Sequence, residues 1–158
     1  MSVISKDLWP RIDFNFEVET PAGLLKFQAD LLSDKTGGIL RGELSSFTER
    51  NILFTTFWII APRLDHYRYA LIKTVSGATL YPVYVYDYSI SESPSGPNSY
   101  PGVEVKFPGI IESLERASFA VYSQAEFERA VKEILSSPET ATIIHSLMSQ
   151  SRALSATL

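Results

Sequence analysis

The stretch Tyr67–Tyr88 constrains this chain most. Two runs of strand-like sequence, Tyr67 to Val75 and Ala78 to Tyr88, flank Ser76-Gly77. A short glycine-bearing turn between such runs predicts a β-hairpin. With a two-residue loop, the numbers of facing residues sum to an odd value. Tyr67, Tyr69, Leu71, Lys73 and Val75 then share a face with Leu80, Pro82, Tyr84, Tyr86 and, at the margin, Tyr88. The opposite face carries Arg68, Ala70, Ile72 and Thr74 with Tyr81, Val83, Val85 and Asp87. Moving the turn to Gly77-Ala78 keeps this assignment, whereas a three-residue loop breaks it. Both faces are therefore largely apolar: one small and aliphatic, suited to receiving helices, the other rich in tyrosine. An antiparallel sheet usually keeps one face wet. The tyrosine face needs cover from another helix, from the N-terminal segment or from a partner chain. Tyrosine suits any of these, because its ring packs while its hydroxyl reaches polar groups.

Around the hairpin the pattern predicts an α+β order. Ile12 to Val18 alternates apolar and polar residues, as a strand or an extended arm does. Thr20-Pro21 reads as an N-cap followed by proline at the first helical position, and Gly37-Gly38 as a stop. A helix is expected from Pro21 to about Thr36, with Leu24, Leu25, Gln28, Leu31 and Leu32 on one face. Ile39 to Phe47 and Ile52 to Ile60 are the first two strands, separated by a polar turn over Ser46 to Asn51. Ala61-Pro62 ends the second. Ser89 to Gly102 is a long Ser/Pro/Gly loop, a functional segment or a tolerated insertion, and Val103 to Phe107 is a short strand candidate. Ser123 with Glu126 forms a capping box ahead of the stripe Phe127, Ala130, Val131, Ile134 and Leu135. Ser137-Pro138 starts a last helix that buries Ile143, Ile144, Leu147 and Met148, with fraying expected over 151–158. The expected fold is one α+β domain over 1–158: an antiparallel meander of about four to six strands, one N-terminal helix and two C-terminal helices.

Composition narrows the function classes. The 158 residues are 45% hydrophobic and 20% charged, as in ordinary globular domains. There is no cysteine, which excludes disulfide scaffolds, thiol catalysis and cysteine-ligated metal sites. Fourteen basic against eighteen acidic residues give a net charge of −4, and no Lys/Arg cluster stands out, so nucleic acid is disfavoured. The most apolar run, Ile52 to Ala61, is about half of the ~20 residues a membrane-spanning helix needs. The first residues carry no signal-peptide pattern. A soluble protein with a cytoplasmic address is the expectation.

Catalytic patterns are sparse. Pro62 to Tyr69 is the densest polar cluster, and the hairpin pairing puts His66 and Arg68 near Asp87 at one end of the sheet. A histidine held by a carboxylate beside an arginine is an acid–base layout, but a cross-strand Asp–Arg ion pair has the same signature. His145 has no second histidine three or four residues away, so it makes no zinc pair. No Gly-x-Ser-x-Gly occurs, and Gly37–Gly42 matches neither a phosphate loop nor a dinucleotide fingerprint. Asp87 with Glu104 and Lys106 resembles the carboxylate–lysine set of restriction-endonuclease-like metal nucleases. The helix–meander–helix order does not suit that fold.

The leading expectation is a non-enzymatic protein-interaction module, regulatory or inhibitory, acting on a protein partner or by self-association. Its binding residues would be Tyr67, Tyr69, Tyr84 and Tyr86 with His66 and Arg68, and it would need no cofactor and no metal. The alternative is a small-molecule binding domain with a pocket between sheet and helices, lined by Trp58, Tyr69 and Tyr84. A third is an enzyme built on His66, Arg68 and Asp87 or on Asp87, Glu104 and Lys106.

Overall fold

The structure, a computed structural model, describes residues 5–13, 18–90 and 117–156. Most of the Ser89–Gly102 loop, the Val103–Phe107 strand candidate, Glu104 and Lys106 lie outside these residues. The chain forms an α+β arrangement of one N-terminal helix, a five-stranded antiparallel sheet and two C-terminal helices. Helix α1 spans Pro21–Lys35, and β1 (Arg41–Glu49), β2 (Ile52–Ala61), β3 (Tyr67–Ser76) and β4 (Val83–Asp87) follow. Then come β5 (Phe119–Val121), α2 (Gln124–Leu135) and α3 (Pro138–Ala156). Strand order is β1-β2-β3-β4-β5, a pure meander. No described helix is long and apolar enough to cross a membrane.

Local chemistry explains the helix boundaries. Thr20 caps α1, its hydroxyl accepting from Gly23 N–H at 2.9 Å, and Pro21 occupies the first turn. Gly37 and Gly38 adopt φ of 62° and 80°, and Gly38 N–H donates to the Ser33 carbonyl, closing the helix end. In α2 the Ser123 hydroxyl accepts from Glu126 N–H, while Glu126 accepts from Tyr122 N–H at 2.8 Å. Ser137 caps α3 by accepting from Thr140 N–H. That helix continues to Ala156, past Ser151, where the sequence pattern places the start of fraying. Ser151 is fully buried there and its hydroxyl donates to the Leu147 carbonyl.

Ahead of α1, the described residues of the expected strand or arm (Ile12, Asp13 and Val18) form no strand, and all are exposed. The first hairpin is tighter than expected. Glu49 pairs with Ile52, so the turn is only Arg50-Asn51, both at positive φ (50° and 67°). That is the backbone a two-residue hairpin turn requires. Ser46–Glu49, expected as turn, is strand. The central hairpin is looser than expected: β4 begins at Val83, and Gly77–Pro82 is loop. This loop has an even number of residues, so facing residues still sum to an odd value, as in Lys73↔Tyr86 and Val75↔Tyr84.

A bulge overturns the rest of the face assignment. Between Phe57 and Trp58 of β2, the partner in β3 jumps from Ile72 to Ala70, leaving Leu71 as an extra residue. An extra residue inverts the alternation beyond it. Leu71 and Ile72 both join the core under the helices. Tyr69 and Tyr67, in register with Ile59 and Ala61, turn to that same side, while Ala70 and Arg68 turn to the other. The predicted tyrosine face is therefore split: Tyr84, Tyr86 and the marginal Tyr88 remain with Lys73 and Val75, and Tyr67 and Tyr69 leave it.

Each face of the sheet has its own apolar cluster. The larger joins Phe57, Ile59, Leu71, Ile72, Val83 and Val85 to Leu25 of α1, Phe127 and Ile134 of α2, and Leu147 of α3. Burial of this kind contributes about 25 cal/mol per Å² of apolar surface and dominates the stability. The smaller gathers Phe54, Ala70, Val75, Tyr86 and Tyr88, with Ile52, Trp58 and Tyr84 packed against it. Among the described residues, none of α1, α2 or α3 belongs to the smaller cluster.

Candidate binding groove

The three helices do not close over the sheet completely. Between α1 and α2 runs a groove of about 770 Å³, open along one side. Its floor is Phe57, Ile59 and Leu71, the last being the bulged residue. One wall is Leu24, Phe27, Leu31 and Leu32 of α1; the other is Val131 and Leu135 of α2 with Ile144 of α3. Phe27 stands off the buried stripe of α1 and is 61% exposed at the lip.

Charge is distributed along this groove. Gln124, the first residue of α2, donates to the Glu19 carboxylate at 3.2 Å just ahead of α1, so the two helices begin side by side. Glu19 and Glu128 mark that end. Lys35 is the last residue of α1 and Lys132 lies in the last turn of α2, where the helix dipoles favour cations. A second depression of about 510 Å³ shares Leu32, Lys35 and Ile144 with the groove and adds His145, Met148 and Arg152. The apolar channel thus runs from an acidic end to a basic one. Tyr81 senses the acidic end: burial, then Glu128, then Glu19 raise its hydroxyl pKa.

The residues singled out in the sequence are dispersed. Tyr67 is 49% exposed at the end of β3. Tyr69 is half-buried on the helix side, donating to the Tyr88 carbonyl at 2.6 Å; burial first, then Tyr67 and Asp87, raises its pKa. Tyr84 and Tyr86 lie on the opposite side, and Tyr86 stacks on Tyr88 at 6.5 Å. Arg68 lies 4.4 Å over the Trp58 ring and 3.9 Å from Glu43, whereas Asp87, in register with Ile72, accepts from Ser89. The six-residue loop Gly77–Pro82 sets Asp87 opposite Ile72 rather than beside His66 and Arg68, and the bulge turns Arg68 to the other side, so the predicted His66–Arg68–Asp87 cluster does not form. His66 itself is exposed in a left-handed turn with Asp65, both at φ 55°. Trp58, Tyr69 and Tyr84 line no common pocket, because Tyr69 is on the helix side and the other two are not. Among the described residues, no group of three or more His, Asp or Glu is placed to hold a metal ion.

No protein-family model, no curated protein and no solved structure matches the chain. Chemistry must therefore be read from the groove itself. Its lining is mainly aliphatic and aromatic, with charge confined to its ends, an arrangement suited to holding an apolar surface. The sequence pattern contained the walls, since Leu24, Leu31, Val131 and Leu135 sit on the predicted stripes. It did not contain Phe27, which falls outside its helix stripe, nor the floor residue Leu71, which reaches the groove through the bulge.

Proposed function

We propose that this protein is a non-enzymatic interaction module whose docking site is the groove between α1 and α2, taking an apolar-faced segment of a polypeptide. The observation that carries this reading is the channel's form: a continuous apolar floor open along one side, with an exposed phenylalanine on its lip. A laterally open groove with apolar walls accepts an amphipathic segment in the manner of helix-in-groove recognition. Aromatic anchors at the margin of such a site typically carry much of the binding energy.

The test uses 1-anilinonaphthalene-8-sulfonate at low protein concentration. The dye is expected to bind, to be displaced by an amphipathic peptide but not by its scrambled sequence, and to bind about tenfold more weakly to Phe27→Asp. Equal binding to the native chain and the variant would remove the groove as the site. A second reading, a small apolar ligand, is favoured by the volume, which lies in the usual range for such sites. Native mass spectrometry showing a small molecule retained by the native chain and lost in Phe27→Asp would select it.

A further inference from the structure

We propose that the partner segment is this chain's own N-terminal arm supplied by a second copy, so that two copies exchange arms across a two-fold axis. This rests on the groove being the docking site. Large apolar side chains exposed on the described structure concentrate ahead of α1: Leu8 is 84% exposed, Trp9 77% and Ile12 63%. A tryptophan and two aliphatic residues this exposed, this close in sequence, mark a contact surface rather than the usual scatter of single apolar residues. Asp7 shapes the arm, its carboxylate accepting from Trp9 N–H at 3.0 Å in a local turn.

Arm and groove meet at one place in the chain. Glu19 lies between the arm and α1 and forms one end of the groove. None of Leu8, Trp9 or Ile12 lines the groove of its own chain. A two-fold axis beside Glu19 sets each arm at the mouth of the other copy's groove. Such an interface is closed, and both copies bury the same residues. The arm brings apolar anchors and the groove an apolar floor, which is the complementarity the exchange requires.

The test is sedimentation of the 158-residue chain over a range of concentrations. The native protein is expected to sediment at twice its 17.7 kDa chain mass. Trp9→Asp and Phe27→Asp should each weaken the dimer at least about tenfold. Mixing these two variants should restore dimers, because one retains an intact groove and the other an intact arm. A native chain that stays monomeric, a dimer indifferent to both substitutions, or a mixture that fails to associate would each overturn the exchange. The dye separates this failure from that of the docking site. Monomeric protein with Phe27-dependent dye binding keeps the groove and removes the second copy. Dye binding indifferent to Phe27 removes the groove itself. Under exchange, Trp9→Asp should bind more dye than the native dimer, since its groove is vacated.

Discussion

Lys73 is where burial and charge conflict most directly. Its side chain is 1% exposed, its Nζ lies 5.1 Å from the centre of the Phe54 ring, and burial lowers its pKa from 10.5 to about 8. Below pH 8 both folded and unfolded chains hold the proton, and folding carries the full desolvation cost. Between pH 8 and 10.5 the unfolded chain binds more protons than the folded one, so this residue makes stability rise with pH. Lys73→Met should therefore be more stable than the native protein at pH 7, by about 2 kcal/mol, with the difference closing as pH approaches 10.5. Urea denaturation at several pH values measures it; a constant difference would refute the account. Tyr86 acts in the opposite sense. Burial, then Tyr84, pushes its hydroxyl up to about 12, so the stability it contributes is intact below pH 10 and lost as pH climbs toward 12. Tyr86→Phe should flatten that alkaline limb.

At the scale of elements, two junctions decide how sheet and helices meet. A Cβ on Gly42 of β1 would lie 2.6 Å from Ala29 Cα and 2.7 Å from its carbonyl oxygen. Only glycine lets α1 approach the strand this closely. Gly42→Ala should cost about 1–3 kcal/mol, read as a lower urea midpoint at unchanged slope. The Arg50-Asn51 turn offers the reverse experiment. Both residues sit at positive φ, where Asn-Gly is the favoured pair. Replacing them with Asn-Gly should raise stability by about 0.5–1 kcal/mol in the same assay. This turn was poorly legible in the sequence. Ser46 to Asn51 is polar apart from Phe47 and reads as turn, yet β1 is an edge strand whose outer residues face water and need no apolar alternation.

At the scale of the molecule, the helices crowd one face of the sheet and leave a groove between α1 and α2. If arms are exchanged there, association and folding are linked. The melting temperature of the native protein should then rise with protein concentration, while that of Trp9→Asp should not, as calorimetry at several concentrations would show. A concentration-independent native melting temperature would contradict the linkage.

The sequence by itself determined the order of the three helices and of the first four strands, the helix caps at Thr20, Ser123 and Ser137, the helix stripes and the presence of apolar residues on both sides of the hairpin; it did not contain β5, three residues too short to show a period. All of these depend on residues within a few positions of one another, where capping bonds and side-chain period act. It did not determine which tyrosines share a face. One residue, Leu71, is left over where β3 pairs with β2, and no local pattern around Tyr67–Val75 records it. The bulge sends Tyr69 to the helix side and Arg68 to Trp58, dispersing the site expected there. It also delivers Leu71 to the groove floor. The groove itself exists only because two helices more than eighty residues apart begin side by side at Glu19 and Gln124. Spacing of that kind is a property of packing between distant elements, which tertiary structure alone decides.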